Sequence, residues 1–145
     1  KSDKRRVCMQ GYNCIIVYEK NENDILFCKR LSDPYKGLFN LVGGKIESGE
    51  DGFDAAYREL FEETGITSDD IRLSHMMDFT YYNQDCFVEI YVGKLEDHVI
   101  LKEEKHPLVW ISKEENFFDS KKFAGEGNIG HMVEQVNIYG KGIIK

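Results

Sequence analysis

Three glutamates, Glu59, Glu62 and Glu63, fall at i, i+3 and i+4 in a stretch with helical spacing, so their side chains gather on one face. Oxygen ligands converging in this way suit Mg²⁺ or Mn²⁺ rather than zinc. Stability alone argues against the arrangement. Like charges at i,i+4 cost about 0.2–0.5 kcal/mol, and anions in a last helical turn oppose the macrodipole at roughly 0.3–1 kcal/mol each. The 23 residues from Gly44 to Ile66 carry seven acids against Lys45 and Arg58, a net of −5 in a chain whose total is −7. A positive partner is expected there; the rival account of such a charge run is a solvated acidic face.

The helix that must present these glutamates has legible ends. Asp51 is placed as N-cap with Asp54 three residues on, an acidic variant of the capping box, and Gly65 supplies the left-handed residue that stops it. Phe53, Ala56, Tyr57, Leu60 and Thr64 follow 3–4 spacing and predict the packed stripe. Ahead of the helix, Gly43-Gly44 allows the backbone to approach a ligand or metal, or simply makes a tight turn.

Gly44, five residues, Glu50, seven residues, then Arg58-Glu59-Leu60-Phe61-Glu62-Glu63-Thr64-Gly65-Ile66 resembles the complete signature of the Nudix hydrolases. The resemblance implies an α/β/α sandwich with a mixed sheet between helices, and Mg²⁺-dependent cleavage of a phosphoanhydride. By that resemblance Glu62 and Glu63 bind metal, Glu59 binds metal or acts as base, and the Gly44 carbonyl is a further ligand. Arg58 and Glu50 are expected to hold the carboxylates in orientation, since a guanidinium can grip them bidentately. Glu104, six residues before Trp110, lies where MutT-type members of the family bring another acid, with Glu103 as its neighbour and a plain surface charge as the alternative.

The flanks narrow the substrate. Gly37-Leu38-Phe39-Asn40-Leu41-Val42-Gly43-Gly44 resembles the approach to the signature in the MutT-type, nucleoside-triphosphate-cleaving branch, with Val42 where proline is common. Asn128 matches the position from which that type reads an oxidised guanine; its amide can address a purine edge or cap a helix. Lys29 and Arg30 are candidates to meet phosphates, and Phe39 to stack on a base, although aromatics in strands are more often core. The expected reaction is therefore cleavage of a nucleoside triphosphate, 8-oxo-dGTP among the candidates, to the monophosphate and pyrophosphate. Dinucleoside polyphosphates or nucleoside diphosphate sugars are the alternative substrates, and a non-catalytic nucleotide sensor is the remaining class.

Around this centre the chain reads as one domain over residues 1–145, with a core over about 7–138. Apolar content of 41% with 12% aromatic excludes broad disorder, and no apolar run approaches the roughly 18 residues a membrane span needs. The acidic balance argues against a nucleic-acid partner. Cys8, Cys14, Cys28 and Cys86 make no C-x-x-C pair and read as buried free thiols in a reducing cytoplasm; the four histidines show no ligand spacing. A polar leader over residues 1–6, strands over 7–19, 25–30, 38–42, 71–82, 86–95 and 107–111, and a terminal helix over 131–139 complete the expectation of a monomer or homodimer that takes a small-molecule nucleotide.

Overall fold

The computed structural model describes residues 8–144, so the expected polar leader and the first residue of the expected opening strand lie outside the described residues. Six strands form one mixed sheet: β1 (Gln10–Tyr18), β2 (Asp24–Lys29), β3 (Phe39–Asn40), β4 (Ser74–Tyr81), β5 (Cys86–Lys94) and β6 (Leu108–Ser112). Helix α1 spans Gly52–Thr64 and α2 spans Asn128–Tyr139. The sheet runs in the order β3-β2-β1-β5-β4, and β6 also pairs with β2. β1 and β5 are parallel, from Gln10 opposite Cys86 to Tyr18 opposite Lys94, while the other pairs are antiparallel.

Strand periodicity sends alternate side chains to opposite faces, and this sorts the core into two halves. Ile15 and Val17 of β1, Leu26 and Cys28 of β2 and Tyr91 of β5 face Ala56 and Leu60 of α1. Ile16 and Tyr18, Ile25 and Phe27, and Ile90 and Val92 face Met132, Val133 and Val136 of α2. The result is the expected α/β/α sandwich.

Asp51 caps α1 by accepting from the Phe53 and Asp54 amides at 3.0 and 3.4 Å, and Gly65 ends it at φ +81°. Buried Thr64 ties off the last turn: its hydroxyl donates to Leu60 O at 2.7 Å and accepts from the Ile66 amide at 3.1 Å. The stripe differs from expectation at its first turn. Ala55 is fully buried, whereas Phe53 lies at the rim, edge-on to Tyr91 and His75. Tyr57 is half-buried because its hydroxyl accepts from the Leu73 amide at 2.9 Å.

The other differences have local causes. The terminal helix starts three residues earlier than expected, at Asn128, with Gly127 at φ +89° turning the chain into it. That early turn buries Ile129, while Tyr139, the last residue of the helix, is 66% exposed. Of the cysteines only Cys28 is buried; Cys8 is exposed and Cys14 and Cys86 are intermediate. Among the described residues no helix is long and apolar enough to cross a membrane.

Candidate metal and nucleotide site

The last two turns of α1 run beside the Leu41–Lys45 segment, and a cleft of about 430 Å³ opens between them, within the range of small-molecule sites. Arg58 organises its acidic wall. The guanidinium grips Glu50 bidentately, Nε to Oε2 at 2.7 Å and Nη2 to Oε1 at 2.9 Å, and Nη2 also donates to Lys45 O at 3.0 Å. Nη1 donates to Glu59 and Glu62, each at 3.2 Å. Hydrogen bonding from Arg58 holds Glu50 below the usual carboxylate range, and the Glu50 contact in turn pushes Arg58 up. Glu50 itself is absent from the cleft wall and acts on it through Arg58 and through the Glu47 amide, from which its Oε1 accepts at 3.0 Å.

Glu63 has a different anchor. Its Oε1 accepts from the Gly43 amide at 2.7 Å, and Oε2 points toward His106. Burial pushes Glu63 up to about 7, the Gly43 amide pulls the other way, and the charge of Glu59 adds to the rise. Two anchors thus divide the three glutamates: Arg58 draws Glu59 and Glu62 to one side, and the Gly43 amide draws Glu63 to the other.

Gly43 and Gly44 are both required by this packing. A Cβ on Gly43 would stand 2.1 Å from Asn13 O, and the residue sits at φ +146°. A Cβ on Gly44 would lie 2.4 Å from the Glu59 carboxyl carbon, so the carboxylate occupies the place a side chain would take. Asn13 registers the turn, its Oδ1 accepting from the Gly44 amide at 3.0 Å and its own amide donating to Gly44 O at 2.8 Å. The Gly44 carbonyl therefore has one of its two lone pairs engaged by the backbone.

Opposite the acids, Arg30, Lys45, Lys105 and His106 line the cleft. Lys29 does not, because strand alternation turns it away from the side shared by Cys28 and Arg30. Glu104 is exposed and off the cleft wall; Glu103 next to it accepts from the Leu108 amide at 2.9 Å and closes that loop, which turns Lys105 and His106 inward. Phe39 packs toward Phe123 with ring centroids 6.3 Å apart rather than into the cleft.

Asn40 and Leu41 form the far end of the cleft and are at the same time a wall of a second, largely apolar pocket. Asn128 lies in that pocket as the first residue of α2, its Nδ2 donating to the Tyr81 hydroxyl at 2.7 Å. Phe79 and Cys14 line it, and burial pushes the Cys14 thiol up to about 12. At the pocket wall the Tyr35 hydroxyl donates to the Glu126 carboxylate, 2.8 and 2.9 Å from its two oxygens.

A family model described as the NUDIX domain matches residues 10–132. This chain belongs to the Nudix family. The ADP-ribose pyrophosphatase of Methanocaldococcus jannaschii is 48% identical over 50 residues, 34% of this chain and 29% of that protein. The NAD-capped RNA hydrolase NudC of Haemophilus influenzae is 32% identical over 105 residues, 68% of this chain and 38% of that one. The Nudix chain thus spans between about a quarter and two fifths of the length of these curated relatives. Among solved structures, a C. elegans Ap4A hydrolase superposes with a TM-score of 0.73 at 20% identity, covering 92% of this chain and 99% of that one. A MutT from Aliivibrio salmonicida or Vibrio cholerae superposes at 0.68 and 22% identity, covering 88% and 95%.

His106, Lys105 and Cys28 escaped the reading of the sequence. Their only signal is the β2–β6 pairing, which sets Cys28 opposite Leu108 and so brings the loop before β6 over the cleft. No spacing within the linear sequence reports that pairing.

Proposed function

We propose that this Nudix protein is a Mg²⁺-dependent hydrolase of a phosphoanhydride bond in a nucleotide, and that its substrate is a nucleoside triphosphate released as the monophosphate and pyrophosphate. The observation that carries this reading is the junction at Asn40–Leu41, where a cleft of acids and cations meets an apolar pocket holding Asn128 and Tyr81. A polyphosphate suits the first compartment and a base the second.

The residues fit a hard divalent ion. Glu63 is a desolvated carboxylate beside a second one, Glu59 packs into the space left by Gly44, and the donors are oxygens. Glu59, Glu62, Glu63 and the Gly44 carbonyl would hold it. Such an ion neutralises phosphate oxygens and acidifies a bound water. Arg58, with Glu50 behind it, keeps Glu59 and Glu62 in place. Arg30, Lys45 and Lys105 bind non-bridging phosphate oxygens and stabilise charge that builds on them as a P–O–P bridge breaks. Water supplies the new P–O bond, a cleft carboxylate takes its proton, and the leaving phosphate carries away the bridging electron pair.

A nucleoside diphosphate linked to a second group is the second reading, favoured by the similarity to an ADP-ribose pyrophosphatase. Incubation with nucleoside triphosphates, ADP-ribose and diadenosine tetraphosphate, each with Mg²⁺, separates them by product. Pyrophosphate release from a triphosphate is the expected result. Turnover of ADP-ribose alone overturns the finer reading, and no turnover of any nucleotide overturns the whole.

A further inference from the structure

Three elements bring a sulfur, an oxygen and a nitrogen together beside the acid cleft. Cys28 comes from β2, Glu63 from the last turn of α1 and His106 from the loop before β6, with ligand atoms all within 4.8 Å of one another. Among the described residues the oxygens of Glu59, Glu62 and Glu63 form no such trio; the other one, His75 with Asp78 and Glu89, is mostly exposed. We propose that Cys28, Glu63 and His106 are a site for a borderline divalent cation of the Zn²⁺ type, separate in chemistry from the oxygen ligands around it.

The distances favour a shared ion over a hydrogen bond. His106 Nδ1 stands 3.8 Å from Glu63 Oε2, well beyond hydrogen-bond reach. Ligands at about 2.0–2.1 Å from a tetrahedral ion are separated by about 3.4 Å along the edge, so a shift of a few tenths of an ångström brings the imidazole and carboxylate to that spacing, with the Cys28 sulfur within 4.8 Å of both. Nδ1 is buried and has no hydrogen-bond partner among the described residues. The Cys28 thiol makes a long contact to the Leu41 carbonyl, at 3.9 Å, and the residue is 4% exposed. Buried polar atoms are ordinarily partnered, so an unmatched ring nitrogen facing a carboxylate calls for a ligand.

Ligand chemistry selects the ion. Mg²⁺ takes oxygens and avoids thiolate and imidazole, whereas Zn²⁺ favours Cys and His with a carboxylate as third ligand. Three protein ligands leave a fourth position for water. On binding, the Cys28 S–H bond breaks heterolytically, sulfur keeps the pair for the ion, the proton goes to solvent, and no oxidation state changes.

Glu63 Oε2 is the oxygen not held by the Gly43 amide, so an ion in this trio withdraws it from the glutamate set. Zn²⁺ and Mg²⁺ would then exclude each other at Glu63. That competition rests on the hydrolase reading; the binding itself does not.

Cobalt reports the sulfur directly. Titrating the full chain with Co²⁺ should give a sulfur-to-cobalt charge-transfer band at one equivalent, removed by Zn²⁺, lost in Cys28→Ser and kept in Cys8→Ser and Cys86→Ser. Zn²⁺ affinity should fall at least tenfold in Cys28→Ser and in His106→Gln. If Cys28→Ser fails to fold, zinc-edge X-ray absorption of the wild-type chain with His106→Gln replaces it, and a shell holding one sulfur is expected. An absent band, a shell of oxygens alone, or unchanged affinity in the variants overturns the site. With nucleotide and Mg²⁺, the Zn²⁺ needed to halve turnover should rise at least tenfold in His106→Gln. Inhibition equal in wild type and variant overturns the competition. If no nucleotide is hydrolysed, the hydrolase reading fails while cobalt and zinc binding still decide this one.

Discussion

At the scale of single residues, Arg58 is the contact on which the acidic wall depends, because one guanidinium fixes Glu50, Glu59 and Glu62 together. Arg58→Ala should lower turnover by about 10–100-fold, as loss of groups that orient metal ligands typically does. Arg58→Lys should recover little of it, since an ammonium cannot reproduce the two-pronged grip; steady-state kinetics with a Mg²⁺ titration checks both. Glu63 gives a second expectation. An acid raised from 4.5 to about 7 in the folded chain lends stability that is complete below 4.5 and lost as pH climbs through about 7. Without divalent ions the chain should lose about 1–3 kcal/mol across that window, and Glu63→Gln should flatten the slope in denaturant unfolding. The acids were legible in the sequence because all three glutamates come from one short helix, whereas His106 and Cys28 meet only through long-range pairing. Glu104 and Lys105 show the limit: neighbours in one loop, the first stands off the cleft wall and the second lines it.

At the scale of elements, α1 was legible nearly to the residue because its determinants are local: a capping Asp51, apolar spacing and a left-handed Gly65. Asp51→Ala should cost about 0.5–2 kcal/mol, read as a lower midpoint of denaturant unfolding. Its buried stripe was less so. Phe53 was turned to the rim by Tyr91 and His75, which belong to the distant strands β5 and β4. Gly44→Ala separates fold from activity, since the new methyl would displace the Glu59 carboxylate. Circular dichroism should stay near wild type while Mg²⁺-dependent turnover falls at least tenfold, a range common for disturbed ligand geometry. Strand β6 has the opposite character to α1. A strand over 107–111 was expected, one residue off the observed Leu108–Ser112, yet its place beside β2 was not legible, and that place decides which loop overhangs the cleft.

For the whole molecule, the layered architecture was expected from the family resemblance, and in the structure successive residues of β1, β2 and β5 pack against α1 and α2 in turn. Strand β3 was expected over 38–42 and spans Phe39–Asn40, but nothing in the linear sequence reported that Asn40 and Leu41 border both cleft and pocket. Ligand linkage tests that meeting. A non-hydrolysable nucleotide with Mg²⁺ at about 100 times its Kd should add about 2.7 kcal/mol. For a chain of 145 residues that is a rise in Tm of roughly 5–10 °C, and chelation should abolish most of it. The shared wall also constrains how the protein can change. Asn40 and Leu41 border both compartments, so a substitution there cannot retune base preference while sparing phosphate placement. New selectivity must instead enter from positions that border the apolar room alone, such as Phe79 or Met132. Evolutionary drift at the dipeptide would be felt twice.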